Sequence, residues 1–130
     1  MQSRTSGKIK FKLDLPYNDC ILPLSSSLFE WVIENICKNA VDSISGEGEI
    51  CISLKTIKNK VLLDITDTGK GIPKSKFKTI FKPGYTTKTR GWGLGLSLAK
   101  RIIENYHQGK IYVLNSELGK GSTFRIILST

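Results

Sequence analysis

The chain has 130 residues, the length of one domain, and its 39% hydrophobic and 24% charged content is a globular balance rather than a disordered one. Twenty Lys and Arg against eleven Asp and Glu leave a net charge of +9, which calls for an anionic partner without choosing among nucleotide, nucleic acid, membrane headgroups and acidic protein. No apolar run approaches the ~20 residues of a membrane span, residues 1–7 lack the apolar core of a secretory signal, and Cys20, Cys37 and Cys51 have neither the pairing of a disulfide framework nor the spacing of a zinc site with His107.

Ile9, Phe11, Leu13 and Leu15 alternate with Lys10, Lys12 and Asp14, which predicts a half-buried strand ended by Pro16. Ser25 to Ile44 reads as a long helix, with capping-box spacing in Ser27-x-x-Glu30 and a stop at Ser45-Gly46. At about 100° per residue, Phe29, Val32, Ile33, Ile36, Ala40 and Ile44 form one apolar stripe. Asn35, Asn39 and Asp42 follow one border of that stripe, while Glu34 and Lys38 point away. Strands are predicted at Glu49 to Ile57 and Lys60 to Thr66, joined by a hairpin turn at Lys58-Asn59. Pro73 opens a short helix containing Phe77 and Phe81, and Lys82 to Gly93, without periodicity, reads as a loop. A second helix spans about Leu94 to Tyr106, with Leu98, Ala99, Ile102 and Tyr106 inward. Gly109 to Leu114 and Ser122 to Leu128 close the chain as strands, joined by a turn containing Gly119 and Gly121. This uneven alternation predicts an α+β fold, a layer of helices on one face of a mostly antiparallel sheet.

Four features carry chemistry. Asp67-Thr68-Gly69-Lys70-Gly71 puts a carboxylate at a strand end, where it can accept from a ligand amino group while the glycines let backbone come close. Gly91-Trp92-Gly93-Leu94-Gly95-Leu96 opens a helix, and bare N–H groups there suit a phosphate, with Lys88 and Arg90 just upstream. A dinucleotide fingerprint requires a strand before such a string, and a loop stands there instead; the P-loop pattern is absent. Gly119-Lys120-Gly121-Ser122-Thr123-Phe124 is, taken alone, a glycine turn into a strand. Asn35 and Asn39, one helical turn apart, offer amide oxygens of the kind Mg²⁺ accepts beside water and phosphate.

In this order the four features resemble the catalytic and ATP-binding domain of bacterial sensor histidine kinases, within the Bergerat-fold ATPases, over about Lys8 to Leu128. Glu34 to Asp42 is similar to the N box, Asp67 to Gly71 to the G1 box and Phe77 to Phe81 to the F box. Pro83 to Lys88 is similar to the start of the ATP lid, Gly91 to Leu96 to the G2 box, and Gly119 to Phe124 to the last glycine box. The resemblance implies a two-layer α/β sandwich with a mixed, mostly antiparallel sheet, residues 1–7 being a linker or flanking edge and residues 8–130 the domain. It implies that Asn39 holds Mg²⁺ with the ATP phosphates, and that Asn35, with Lys88 or Arg90 reaching the γ-phosphate on lid closure, completes the catalytic set. Asp67 would receive the adenine amino group, Gly69 and Gly71 would make room for the base, and Ile72 would join the nucleotide-binding set. Gly93, Gly95 and Leu96 would offer N–H groups to the phosphates, with Gly91 and Leu94 in the same stretch, and Thr123 would line the adenine end through a water.

By the same resemblance the γ-phosphoryl goes to a histidine on a separate dimerisation domain, absent from this chain, and a response regulator is served indirectly. The implied location is cytoplasmic, with the parent chain homodimeric and often anchored in the inner membrane, this domain monomeric and contacting neither membrane nor nucleic acid. Two departures stand out: Asp42 lies where many relatives carry a basic residue, and His107, the only histidine, ends the second helix, where related domains carry one without phosphorylating it. A stand-alone protein-serine kinase of anti-sigma-factor type is the alternative on the same fold. A basic nucleic-acid-binding module has only the net charge, Trp31 and Trp92 for it.

Overall fold

Alternation along Lys60–Asp67 sends Val61, Leu63, Ile65 and Asp67 to one face, and these four are buried while most residues between them are not. The computed structural model describes residues 9–14, 26–82, 95–106 and 108–129. Its strands are β1 (Ile9–Asp14), β2 (Gly48–Ile57), β3 (Lys60–Asp67), β4 (Lys110–Glu117) and β5 (Gly121–Ser129), in the sheet order β1-β2-β3-β5-β4. β1 pairs with β2 in parallel, and the other three pairings are antiparallel. The expected mixed, mostly antiparallel sheet is therefore the one observed.

One face of this sheet is covered by α1 (Ser26–Ser43) and α2 (Gly95–Arg101). Val32, Ile36 and Ala40 of α1 pack with Ile50, Leu63, Ile65, Ile111, Phe124 and Ile126 of the sheet. Burying each such side chain fully contributes about 1.5–3 kcal/mol, which outweighs the modest helix propensity of β-branched residues in α1. Cys37 joins this face with no exposure, a position the apolar stripe omitted; burial first and the nearby Glu34 second push its thiol up to about 11, so it behaves as a small apolar side chain. α1 already includes Ser27 in its first turn, so Ser27 is not the residue before the helix that a capping box requires. Gly46, at φ +82°, turns the chain after it.

Three local details differ from the sequence expectation. In place of one helix after Pro73 there are two 3₁₀ turns, Lys74–Lys76 and Thr79–Phe81, closed by i→i+3 bonds such as Lys76 N to Pro73 O (2.8 Å) and Lys82 N to Thr79 O (2.9 Å). Only Ile80 and Phe81 are buried in them, too short an apolar stripe to sustain an α-helix. α2 widens into a π turn over Ile102–Tyr106, which buries the adjacent pair Ile102 and Ile103 rather than continuing the predicted stripe. Gly121 belongs to β5 instead of the preceding turn. Leu15, Pro16, Cys20, Ser25, residues 83–94 and His107 lie outside the described residues.

Candidate functional site

Asp67 ends β3 on the core face with 5% exposure. Its Oδ1 accepts the Gly69 N–H (2.8 Å) and the Ser43 hydroxyl (3.3 Å), and the carboxylate also accepts the Ser122 N–H. Burial raises its pKa above the ordinary carboxylate value, and these three donors partly oppose the rise. A carboxylate has about four lone-pair sites; the Gly69 and Ser122 N–H groups use two, and the single Ser43 proton is shared with the Ala40 carbonyl 2.8 Å away, so acceptor capacity remains for a ligand. Its remaining lone pairs can accept from a ligand N–H₂ group.

The chain around Asp67 is assembled from backbone at close quarters. Thr68 N bonds Glu49 O (3.1 Å), Lys70 N bonds Ser43 O (3.0 Å) and Gly119 N bonds Lys70 O (2.8 Å). The 67–72 loop is thus held between the C-terminal end of α1 and the β4–β5 turn. A Cβ on Gly69 would strike the Ser43 side chain, one on Gly71 (φ +82°) the Glu117 carbonyl, and one on Gly121 (φ +133°) the Asp67 carbonyl. The glycines are required by the closeness of protein backbone, and whatever room they give a ligand comes in addition.

Asn35 and Asn39 stand on the border of α1, as the helical wheel predicts, both half-buried. Each Nδ2 donates to the carbonyl one turn earlier, Asn35 to Trp31 O (2.9 Å) and Asn39 to Asn35 O (2.9 Å). Those bonds make the oxygen the metal-donor end of each amide. Gly95, the first residue of α2, lies against Asn35: a Cβ there would sit 2.9 Å from Asn35 Oδ1. The fold therefore brings together the Asn35/Asn39 border and the start of α2, with Gly95 and Leu96. Asp67 belongs to the same face of the sheet, joined to the last turn of α1 through Ser43. Lys88, Arg90, Gly91, Gly93 and Leu94 lie outside the described residues, so their expected places in the site remain sequence expectations.

Thr123 pairs with Thr66, not Asp67, and its hydroxyl lies 3.0 Å from that of Thr66, on the sheet face away from the helices. Strand alternation gives the place beside Asp67 to Ser122, its register partner, which is 4% exposed. Ser43 and Ser116 were likewise missed: Ile72 N donates to Ser116 Oγ (2.6 Å), so Ile72 is tied in through its backbone. An open groove of about 350 Å³ at this end of the sheet includes Asp67 and Ser122, but Thr66, Asn115 and Thr123 belong to its outer face, so it is not the cleft between helices and sheet.

Among the described residues no group of three His, Cys, Asp or Glu could form a metal cage. A lone amide oxygen fits the other way of holding Mg²⁺, in which substrate phosphates and water supply most ligands.

Residues 25–130 match the family of histidine kinase-, DNA gyrase B- and HSP90-like ATPases. The chain belongs to that family. Among its histidine kinase relatives, sporulation kinase E of Bacillus subtilis is 44% identical over 125 residues, 94% of this chain and 16% of the relative. The catalytic domain of histidine kinase ThkA superposes with a TM-score of 0.84 at 31% identity, covering 94% of this chain and 79% of that one. ThkA has also been solved in complex with the response regulator TrrA, a match with TM-score 0.79 and 29% identity that covers 93% of this chain and 34% of that one. These likenesses bear out the resemblance to histidine kinase catalytic domains and the α+β fold. Use of a nucleotide follows from membership among these ATPases. The chain spans a quarter or less of the length of the first curated relatives it matches. No helix among the described residues is long and apolar enough to cross a membrane.

Proposed function

We propose that this chain is the ATP-binding catalytic module of a two-component sensor histidine kinase, which gives the γ-phosphoryl of Mg-ATP to a histidine on a separate helical dimerisation domain. The observation that carries the reading is the buried Asp67 carboxylate, only partly satisfied by protein donors and placed on the sheet face that the helices cover. An adenine amino group would use its remaining acceptor capacity, whereas the guanine carbonyl at the same ring position would confront it with a second acceptor.

At the other end Asn39 would hold Mg²⁺ through its amide oxygen, Asn35 would stand beside it, and the N–H groups of Gly95 and Leu96 would face the phosphates. Bound there, Mg²⁺ would offset charge on the β- and γ-phosphates. Lys88 and Arg90 are the candidate γ-phosphate cations. The protein's part is to orient and to offset charge, since phosphoryl transfer asks little covalent chemistry of it. The acceptor histidine and a dimeric parent chain belong to this proposal, as does indirect service to a response regulator.

Titration calorimetry with ATP, ADP and GTP, with and without Mg²⁺, tests the nucleotide half. ATP and ADP should bind, Mg²⁺ should strengthen ATP, and GTP should bind at least tenfold more weakly; equal ATP and GTP affinities would refute the assigned purine end. Mixing the chain with a histidine-bearing helical domain and labelled ATP tests the transfer half. Acid-labile label on that domain supports it, and acid-stable label would favour a serine kinase.

A further inference from the structure

Ser116, on β4, is named in no role by the ATPase reading, yet it touches three residues around Asp67 without contacting Asp67 itself. Its Oγ accepts the Ile72 N–H (2.6 Å), lies 3.0 Å from the Gly121 carbonyl and lies 2.8 Å from the Ser122 hydroxyl. A hydroxyl has one hydrogen and two lone pairs. One arrangement satisfies all three contacts: Ile72 and Ser122 donate to Ser116, and Ser116 donates to Gly121. The Ser116 hydroxyl is then fully used, and the Ser122 hydroxyl has its proton committed inward.

Two consequences follow. The loop that starts at Asp67 ends at Ile72, so Ser116 fixes the far end of that loop to the β4–β5 hairpin. Its near end is fixed by register, since Asp67 pairs with Ser122. With its hydroxyl proton committed to Ser116, the Ser122 side chain keeps only lone pairs for any other partner, while its backbone N–H donates to Asp67. Ser116 therefore governs both the position of the loop and the hydrogen-bonding sense of the Asp67 neighbour.

We propose that Ser116 is a positioning residue for purine selection, acting through Ile72, Gly121 and Ser122 rather than by touching the base. This rests on Asp67 being the adenine acceptor, and the test separates the two claims. ATP and GTP affinities are measured by calorimetry for the wild-type chain and for Ser116→Ala, Ser116→Thr and Asp67→Asn, with a melting curve for each. Ser116→Ala should weaken ATP about tenfold, the effect of leaving buried polar groups unpaired, and should weaken GTP less, so that the ATP-to-GTP ratio falls. Ser116→Thr keeps a hydroxyl on a strand position and should restore both affinity and ratio to within about twofold.

A purely structural role would lower the melting temperature and weaken both nucleotides alike; that result, or a Ser116→Ala chain with an unchanged ratio, would overturn the proposal. If Ser116→Ala melts too low to titrate, Ser116→Thr and Ser116→Cys, which keep the volume with strong and weak donors, carry the same comparison. Equal ATP-to-GTP ratios for those two would count against it. If Asp67→Asn binds ATP as the wild type does, the adenine reading itself fails and the proposal falls with it. If only Asp67→Asn loses ATP while Ser116→Ala does not, the reading stands and the proposal alone is lost.

Discussion

At Asp67 burial and charge oppose each other, and the sign of the pH effect follows. Its folded pKa is raised above the ordinary carboxylate value of 3.8, chiefly by burial. Between those two values the folded chain holds the proton more tightly than the unfolded one. The stability it contributes is therefore fully present below about 3.8 and is lost as the pH rises through the folded value. Melting curves of the unliganded chain over a pH series should show the wild type gaining more on acidification than Asp67→Asn. ATP affinity should run the opposite way, falling as the carboxylate is protonated, and Asp67→Asn should weaken ATP about a hundredfold or more at neutral pH. The carboxylate was legible in the sequence because a strand ended in Asp-x-Gly-x-Gly, and Asn35 and Asn39 because a wheel put them on one border. The serines were not, because a hydroxyl carries no pattern of its own. Ser122 had a usable signal all the same: counting by twos from buried Phe124 selects Ser122 for the core face and rejects Thr123.

At the scale of elements, the sheet register depends on two glycines that differ in kind. Gly119 has a φ of +82° and open space about its Cα, whereas Gly121 has a φ of +133° and the Asp67 carbonyl against it. Gly119→Ala should cost about 1 kcal/mol from backbone strain alone. Gly121→Ala should cost about 3 kcal/mol or more, because β3 and β5 must also move apart beside Asp67. Denaturant unfolding of the two variants checks the ranking, and equal midpoints would contradict it. Strands and the long helix were predictable because their periods, 2 and 3.6, are written over many residues. The 3₁₀ turns and the π turn were not, since over three to five residues the choice among helix types is made by what must be buried, here Ile80 and Phe81 in one case and Ile102 with Ile103 in the other.

For the molecule as a whole, the surplus charge has one address. Residues 68–103 contain nine Lys and Arg and no Asp or Glu, while the remaining 94 residues carry eleven of each sign. Lys70, Lys74, Lys76, Lys78 and Lys82 in that segment are exposed. A field concentrated on the segment that joins Asp67 to α2 speeds the arrival of a polyanion more than it tightens its hold. Stopped-flow association of a fluorescent ATP analogue should therefore slow as salt rises past about 0.1 M, where the Debye length is about 10 Å. Neutralising Lys74, Lys76 and Lys78 to Gln together should lower the low-salt association rate about threefold, leave dissociation unchanged and converge with the wild type in high salt. The net charge was readable from composition, but its confinement mattered only once the fold set the 3₁₀ turns between Asp67 and α2.

Sheet order also has a kinetic meaning. The β2–β3 and β4–β5 hairpins each join neighbours in the chain, but β3 meets β5 across about half the chain, pairing Lys60 with Ser129. Loop-closure entropy makes such distant pairing late in folding. Asp67 and Ser122 face each other across that late seam. We therefore expect the candidate site to be completed on the native side of the folding barrier. ATP should retard unfolding in proportion to its occupancy and leave the refolding rate nearly untouched.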